Sequence, residues 1–209
     1  MNEFQRTDSW YQDRLGKATP SRMGDLMAKT KTGYGASRGN YMAELLIERL
    51  TGAPTESYQS PAMLRGIEAE PAALAAYGFE TDFDLGFTGF VNHPRIKMAG
   101  CSPDGLVGSK GLVEVKCPNT ATHIETLLND SVDLKYMRQM QFQLACHPDR
   151  EWCDYVSYDG RMPPGMQMWV KRFDRDDKII ELMEQDVEVF LAELDEKEQA
   201  LRERYGEAA

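Results

Sequence analysis

The sequence predicts an α/β fold, a short mixed central sheet flanked by helices. From Ser102 to Lys116, SPDGLVGSKGLVEVK, a proline–glycine turn leads through a hairpin-like GSKG link (Gly108 to Gly111) into an alternating, strand-like run. Trp152 to Tyr158 and Met166 to Phe173 are β-rich and joined by the turn DGRMPPG. Around these lie segments with apolar residues at helical spacing. The 209 residues read as a single domain with a substantial core, closing on a long acidic helix over about 174–205.

The elements follow in order. Ser9 to Leu15 reads as a short helical turn capped by Asp8 or Ser9 and ended at Gly16. Thr19 then reads as an N-cap with Pro20 at the first helical position of a helix running to about Lys29. A helix start preceded by Arg14 and containing Ser21 offers an anion site, with a surface pairing of Arg14 to Asp13 or Asp25 as the alternative. Lys29 to Arg38, KTKTGYGASR, reads as a mobile loop, and Met42, Leu45, Leu46 and Leu50 mark a core-facing helix from about Asn40 to Leu50. A second loop covers 51–60. Pro61 to Tyr77 reads as an amphipathic helix that Pro71 should kink or restart near Ile67. Glu68 and Glu70 precede that point; two residues apart on a helix, only one can look into a site. Phe83 to Val91 and Ile96 to Cys101 read as adjacent antiparallel strands. Thr120 to Leu128 reads as helical, with His123 on its surface. Asp133 caps a helix to about Cys146, with Tyr136, Met140 and Leu144 four apart and Arg138, Gln139, Gln141 and Gln143 as its polar positions. The last helix carries Ile179, Met183, Val187, Phe190, Leu191, Leu194 and Leu201 on one stripe.

Composition is that of a soluble globular protein, 42% hydrophobic and 28% charged, without a membrane-length apolar run. The N-terminus MNEFQRTDSW lacks a signal peptide's apolar centre, which places the expected site of action in the cytoplasm. Cys101, Cys117, Cys146 and Cys153 form no CxxC pair and do not cluster with His93, His123 or His147, which argues against zinc. The net charge of −10 is uneven. Residues 173–209 hold 13 acidic and 5 basic side chains, whereas residues 14–38 hold six basic ones (Arg14, Lys17, Arg22, Lys29, Lys31, Arg38) against Asp25 alone. A local positive patch suffices for phosphate contacts.

The chemistry concentrates between Ser102 and Lys116. Asp104 sits in a turn between Pro103 and Gly105. Glu114 and Lys116, two apart on a strand, share a face, while Val113 and Val115 point to the other. Two carboxylates suit Mg²⁺ or Mn²⁺, and an ammonium beside metal-bound water can orient or activate a nucleophile for phosphodiester cleavage. The same spacing also occurs in surface ion pairs with no site, but charges this close to a core are costly unless they bind something.

SPDGL (Ser102 to Leu106) followed by LVEVKCP (Leu112 to Pro118) resembles the PD-(D/E)xK nuclease core of the phage lambda exonuclease and YqaJ-type viral recombination nuclease family. The resemblance continues through RLGKATPS (Arg14 to Ser21), GIEAE (Gly66 to Glu70) and YMRQMQFQL (Tyr136 to Leu144), in the family's order, over roughly residues 9 to 172. It implies a restriction-endonuclease-like core in a single nuclease domain. Asp104, Glu114 and the Val115 carbonyl would hold Mg²⁺, with Mn²⁺ able to substitute, and Glu70 would support a second ion. Lys116 would position the attacking water, and Gln139 would reach the active site to bond a phosphate oxygen or a metal-bound water. Arg14 and Ser21 would hold a 5′-terminal phosphate, with Ser102 and Lys31 as further DNA contacts; lysine at 31 gives a point charge in place of a bidentate grip. The family's arginine near Thr122 is missing.

The activity so implied is 5′→3′ digestion of one strand of linear double-stranded DNA, leaving a 3′ tail for recombination by single-strand annealing. The resemblance further implies a homotrimeric ring, a single-strand annealing protein as partner, and a phage or prophage origin in a bacterial host. The alternatives are an endonuclease of the same core that cuts structured or unmodified DNA, and a non-catalytic DNA- or protein-binding module.

Overall fold

A computed structural model describes residues 4–55 and 60–206, so the loop expected over 51–60 falls partly outside the described residues. In chain order the elements are α1 (Asp8–Arg14), a 3₁₀ turn (Pro20–Arg22), α2 (Met23–Leu26), β1 (Lys29–Thr30), β2 (Gly33–Tyr34), α3 (Ala36–Thr51) and α4 (Pro61–Thr81). There follow β3 (Leu85–Gly86), β4 (Val91–Asn92), β5 (Gly100–Cys101), β6 (Gly105–Val107), β7 (Gly111–Lys116), α5 (Thr120–Asn129), α6 (Leu134–Cys146), β8 (Trp152–Tyr158), β9 (Met168–Asp174) and α7 (Asp177–Tyr205).

The central sheet has the order β3-β6-β7-β8-β9. Only β7 and β8 run parallel, so the sheet is mixed, as the sequence predicts. Parallel neighbours need a long crossover, and α5 with α6 supplies it. The alternation in β7 assigns its two faces to two cores. Val113 and Val115 pack with Ala73, Leu74 and Tyr77 of α4. Leu112, on the face that Glu114 and Lys116 share, packs under α6 with Met140, Phe142 and Leu144. Since α6 lies between sheet and α7, its residues from Met140 to Cys146 are buried all round, polar Gln141 and Gln143 included.

Several elements differ from the sequence reading. Instead of one helix from Pro20 to Lys29, a 3₁₀ turn passes into a single α-turn, and Thr19 makes no side-chain cap. The cap of α1 is Thr7, whose Oγ1 accepts from Trp10 N. Lys29 to Arg38 is not a loop throughout: β1 pairs with β2, and Arg38 lies inside α3, buried against Glu193 of α7. Pro71 neither ends nor restarts α4, which runs through it. The β-rich stretches around residues 83–101 yield only two-residue strands, although β4 and β5 do pair antiparallel. His123 is fully buried rather than on the surface, its ring bonded to Ser157 Oγ and the Met166 carbonyl, both at 2.8 Å. On α7 the buried stripe runs through Ile180, Met183, Val187, Phe190, Leu191 and Leu194, while Ile179 and Leu201 are at its exposed margins. All four cysteines are free thiols. No helix among the described residues is long and apolar enough to cross a membrane.

Candidate active site

The turn Ser102–Pro103–Asp104 and strand β7 meet as their sequence implies. The antiparallel register of β6 on β7 pairs Gly105 with Val113, which brings Asp104 alongside the far end of β7. Asp104 Oδ2 accepts the Val115 amide at 2.7 Å. Gly105 is close to obligatory here, since an added Cβ would stand 2.9 Å from Val113 Cγ1.

Glu114 is 1% exposed, and its carboxylate is heavily bonded. Oε1 accepts from Lys116 Nζ and from Gln139 Nε2 at 2.7 Å; Oε2 accepts from Gln143 Nε2 at 2.6 Å. A carboxylate has roughly four acceptor positions, so one on Oε2 stays open. Among the described residues no donor meets the second oxygen of Asp104. Withdrawal from water, then the charge of Glu114, pushes the Asp104 carboxyl well above the usual carboxylate range, with Glu70 adding to the effect. A buried carboxylate raised by the charge of its neighbour, with an acceptor position open on each of the two, has the donor chemistry of a hard divalent cation site. The residues present therefore fit Mg²⁺ or Mn²⁺. Burial opposes the Lys116 charge, but Glu114 and Asp104 outweigh it and hold its ammonium protonated. Tyr136 lies beneath that ammonium, 5.2 Å from ring centre to Nζ.

Glu70 of α4 lines the same open cleft of about 460 Å³ as Val115, Lys116 and Tyr136. Glu68 is exposed, so Glu70 is the acid turned inward. It does not join the other two in one shell: Glu70 Oε2 is 2.8 Å from Arg6 Nη2, and no three Asp, Glu, His or Cys side chains among the described residues gather closely enough to hold an ion.

The expected phosphate contacts are partly assembled. Arg14 stacks over Trp10 at 4.1 Å, and Trp10 Nε1 donates to Ser102 Oγ at 2.8 Å, a chain leading directly to the Asp104 turn. The surface pairing of Arg14 with Asp13 or Asp25 does not form: Asp25 takes Arg22, and no carboxylate among the described residues, Asp13 included, pairs with Arg14. Burial lowers the affinity of Arg14 for its proton. Ser21 is exposed in the 3₁₀ turn next to Ala18, which bridges to Ala99 just before β5. Lys31 stands exposed at the tip between β1 and β2, and no contact among the described residues links it to the site. Thr122 lies exposed in the first turn of α5.

Gln143, Trp10 and Arg6 are the site residues that the sequence reading missed. Gln143 had a signal: it lies one helical turn from Gln139 and so shares its face. Trp10 and Arg6 act across more than sixty residues and left none.

The YqaJ-like viral recombinase domain is matched over residues 9–150. The alkaline exonuclease LHK-Exo from Laribacter hongkongensis is 47% identical, with a TM-score of 0.89 over 97% of this chain and 100% of that one. Its complex with dAMP gives 48% identity and a TM-score of 0.90 over the same shares, 97% and 100%. A phage related exonuclease from Haemophilus somnus 129PT shares the fold at 15% identity, with a TM-score of 0.71 over 90% of this chain and 96% of that one. No curated protein sequence matches the chain. The architecture is the α/β fold of PD-(D/E)xK exonucleases.

Proposed function

The chain belongs to the YqaJ-like viral recombinase domain family, and from that premise we propose that it is a divalent-metal-dependent DNA exonuclease. It degrades one strand of linear duplex in the 5′→3′ direction, starting at a 5′-phosphorylated end and leaving a 3′ single-stranded tail. The observation that carries the reading is the buried Glu114 carboxylate, bonded by Lys116, Gln139 and Gln143 and set against Asp104 on the adjoining turn. A charge so buried is costly unless it is compensated; Lys116 and the two amides do so while leaving an acceptor position on Oε2 for a metal ion.

Asp104, Glu114 and the Val115 carbonyl would hold Mg²⁺ or Mn²⁺, and Glu70 would support a second ion. The bound metal supplies a water of lowered pKa and neutralises charge developing on the phosphate. Lys116, held protonated, orients the attacking water and faces the phosphate as a fixed cation. Gln139 and Gln143 fix the Glu114 carboxylate. Arg14, desolvated and without a carboxylate partner among the described residues, would receive the terminal phosphate beside Ser102, with Ser21 as a further contact, while Lys31, at the exposed β1–β2 tip, would meet the DNA away from the cleft. Family resemblance supports a homotrimeric ring and a single-strand annealing partner acting in the cytoplasm of a bacterial host.

The test is digestion of an end-labelled duplex with a 5′-phosphate on one strand only, in Mg²⁺. Only the phosphorylated strand should shorten, and a closed circle should survive. Cutting of the circle overturns end recognition.

A further inference from the structure

We propose that Arg6 is a built-in counter-cation for Glu70 that yields when a second metal ion enters, so that the segment from Gln5 to Trp10 sets the affinity of that ion. The inference rests on the two-ion reading above and assigns a role to residues that reading does not use.

The segment is fastened along the rim of the site. Gln5 Nε2 donates to the carbonyls of Pro103, at 2.9 Å, and Thr88, at 3.4 Å. Trp10 Nε1 donates to Ser102 Oγ at 2.8 Å. Both residues ahead of Asp104 are therefore gripped from the same stretch of chain. Between these two ties Arg6 takes a left-handed backbone, φ 63°, which a side chain with a Cβ rarely adopts. From there its guanidinium donates to Glu70 Oε2 at 2.8 Å.

Glu70 borders two spaces at once. On one side is a small pocket of about 190 Å³ that it lines with Arg6, Pro71, Leu74, Leu85 and Phe87; on the other is the cleft that contains Lys116. Held by Arg6, its carboxylate stands outside any three-ligand cluster among the described residues. Released, the same side chain borders the cleft where a second ion would sit. Arg6 opposes that ion twice, by occupying its ligand and by placing a positive charge beside its seat. The bridge is partly solvated, its side chains 35% and 20% exposed, and such pairs are weak. A dication therefore displaces Arg6 at a modest penalty, and Arg6 tunes the second ion without blocking it. The first ion, on Asp104 and Glu114, does not share this penalty.

Isothermal titration of the full chain with Mn²⁺, without DNA, tests this in the wild type, Arg6→Gln, Arg6→Lys, Glu70→Gln and the Arg6→Gln/Glu70→Gln double variant. Arg6→Gln should tighten the weaker of two binding events roughly three- to tenfold and leave the tighter one unchanged. Arg6→Lys should stay near wild type, and Glu70→Gln should abolish the weaker event whichever residue stands at position 6. If the weaker event is unchanged or weakened in Arg6→Gln, the counter-cation role fails while the two-ion reading stands. If neither wild type nor Arg6→Gln shows a second event, both fail.

Discussion

Gln143 is 1% exposed, and its amide is the sole donor on Glu114 Oε2 among the described residues. Replacing it by leucine keeps most of the volume but strands a buried carboxylate oxygen, which should cost about 1–3 kcal/mol in stability. A metal ligand that loses its orienting partner also loses its aim, and rates then fall roughly 10- to 100-fold. Gln143→Leu should therefore lower both the urea midpoint and kcat; an unchanged kcat would reduce Gln143 to core filling. Lys116→Ala removes the fixed cation from the proposed phosphate seat and should lower kcat by roughly 100- to 1000-fold with DNA binding retained. If the nuclease activity survives this change, it arises elsewhere. The contrast is informative, because Lys116 would act on the reacting atoms and Gln143 only through Glu114.

At the scale of elements, α4 is joined to the sheet by a buried polar link as well as by its valine-facing core. Asp154 on β8 accepts from Tyr77 Oη of α4 at 2.7 Å and from Arg172 of β9 at 2.8 and 2.9 Å, and Arg172 also stacks over Trp152 at 3.4 Å. Burial, then the bond to Asp154, raises the Tyr77 hydroxyl far above its ordinary value, so it stays a donor. Tyr77→Phe should cost about 1–2 kcal/mol, and Arg172→Ala more, since it removes both the ionic partner of a buried carboxylate and a stacking contact. Urea titration of both variants checks the order. The same elements show what a sequence can disclose. The alternation of Val113 and Val115 with Glu114 and Lys116 was legible because strand period and burial coincide, and Asp133 marked the start of α6 through local cap chemistry. The pairing of β7 with β8 was not legible: they are parallel neighbours brought together across two helices, and no local pattern encodes the match of Glu114 to Tyr155. His123 was misread because its polar ring implies solvent, whereas Ser157 and the Met166 carbonyl, from distant strands and turns, satisfy it in the interior. Arg6 and Glu70 meet across 64 residues, beyond any periodicity.

For the whole molecule, buried His93 and half-buried His147 make stability sensitive to mild acid. His93 stacks on Phe142 and lies 3.1 Å from Glu184 of α7, and His147 at the end of α6 bonds the Gln143 carbonyl at 2.9 Å. Burial lowers the pKa of both; at His93 it outweighs the attraction of Glu184, and Arg95 acts in the same direction as burial. An unfolded chain takes up these protons near pH 6.5, before the folded protein does. Between neutrality and the lowered folded values the unfolded state thus binds more protons at these two sites, and the histidine contribution to stability falls as pH falls. The salt-linked carboxylates Asp130 and Asp159, whose folded pKa is depressed, lose their contribution only below the ordinary carboxylate range, outside this window. Asp104 works the other way, since its raised carboxyl adds stability as it protonates. The histidine effect is therefore best read as a difference between proteins rather than from one curve. Urea midpoints at pH 7.5 and 5.5 should drop less in His93→Gln than in the wild type, although the variant is less stable at pH 7.5 from the changed packing on Phe142. Equal drops in the two proteins would mean that the Glu184 pairing cancels desolvation, and that α7 is held on the core without regard to the charge of His93.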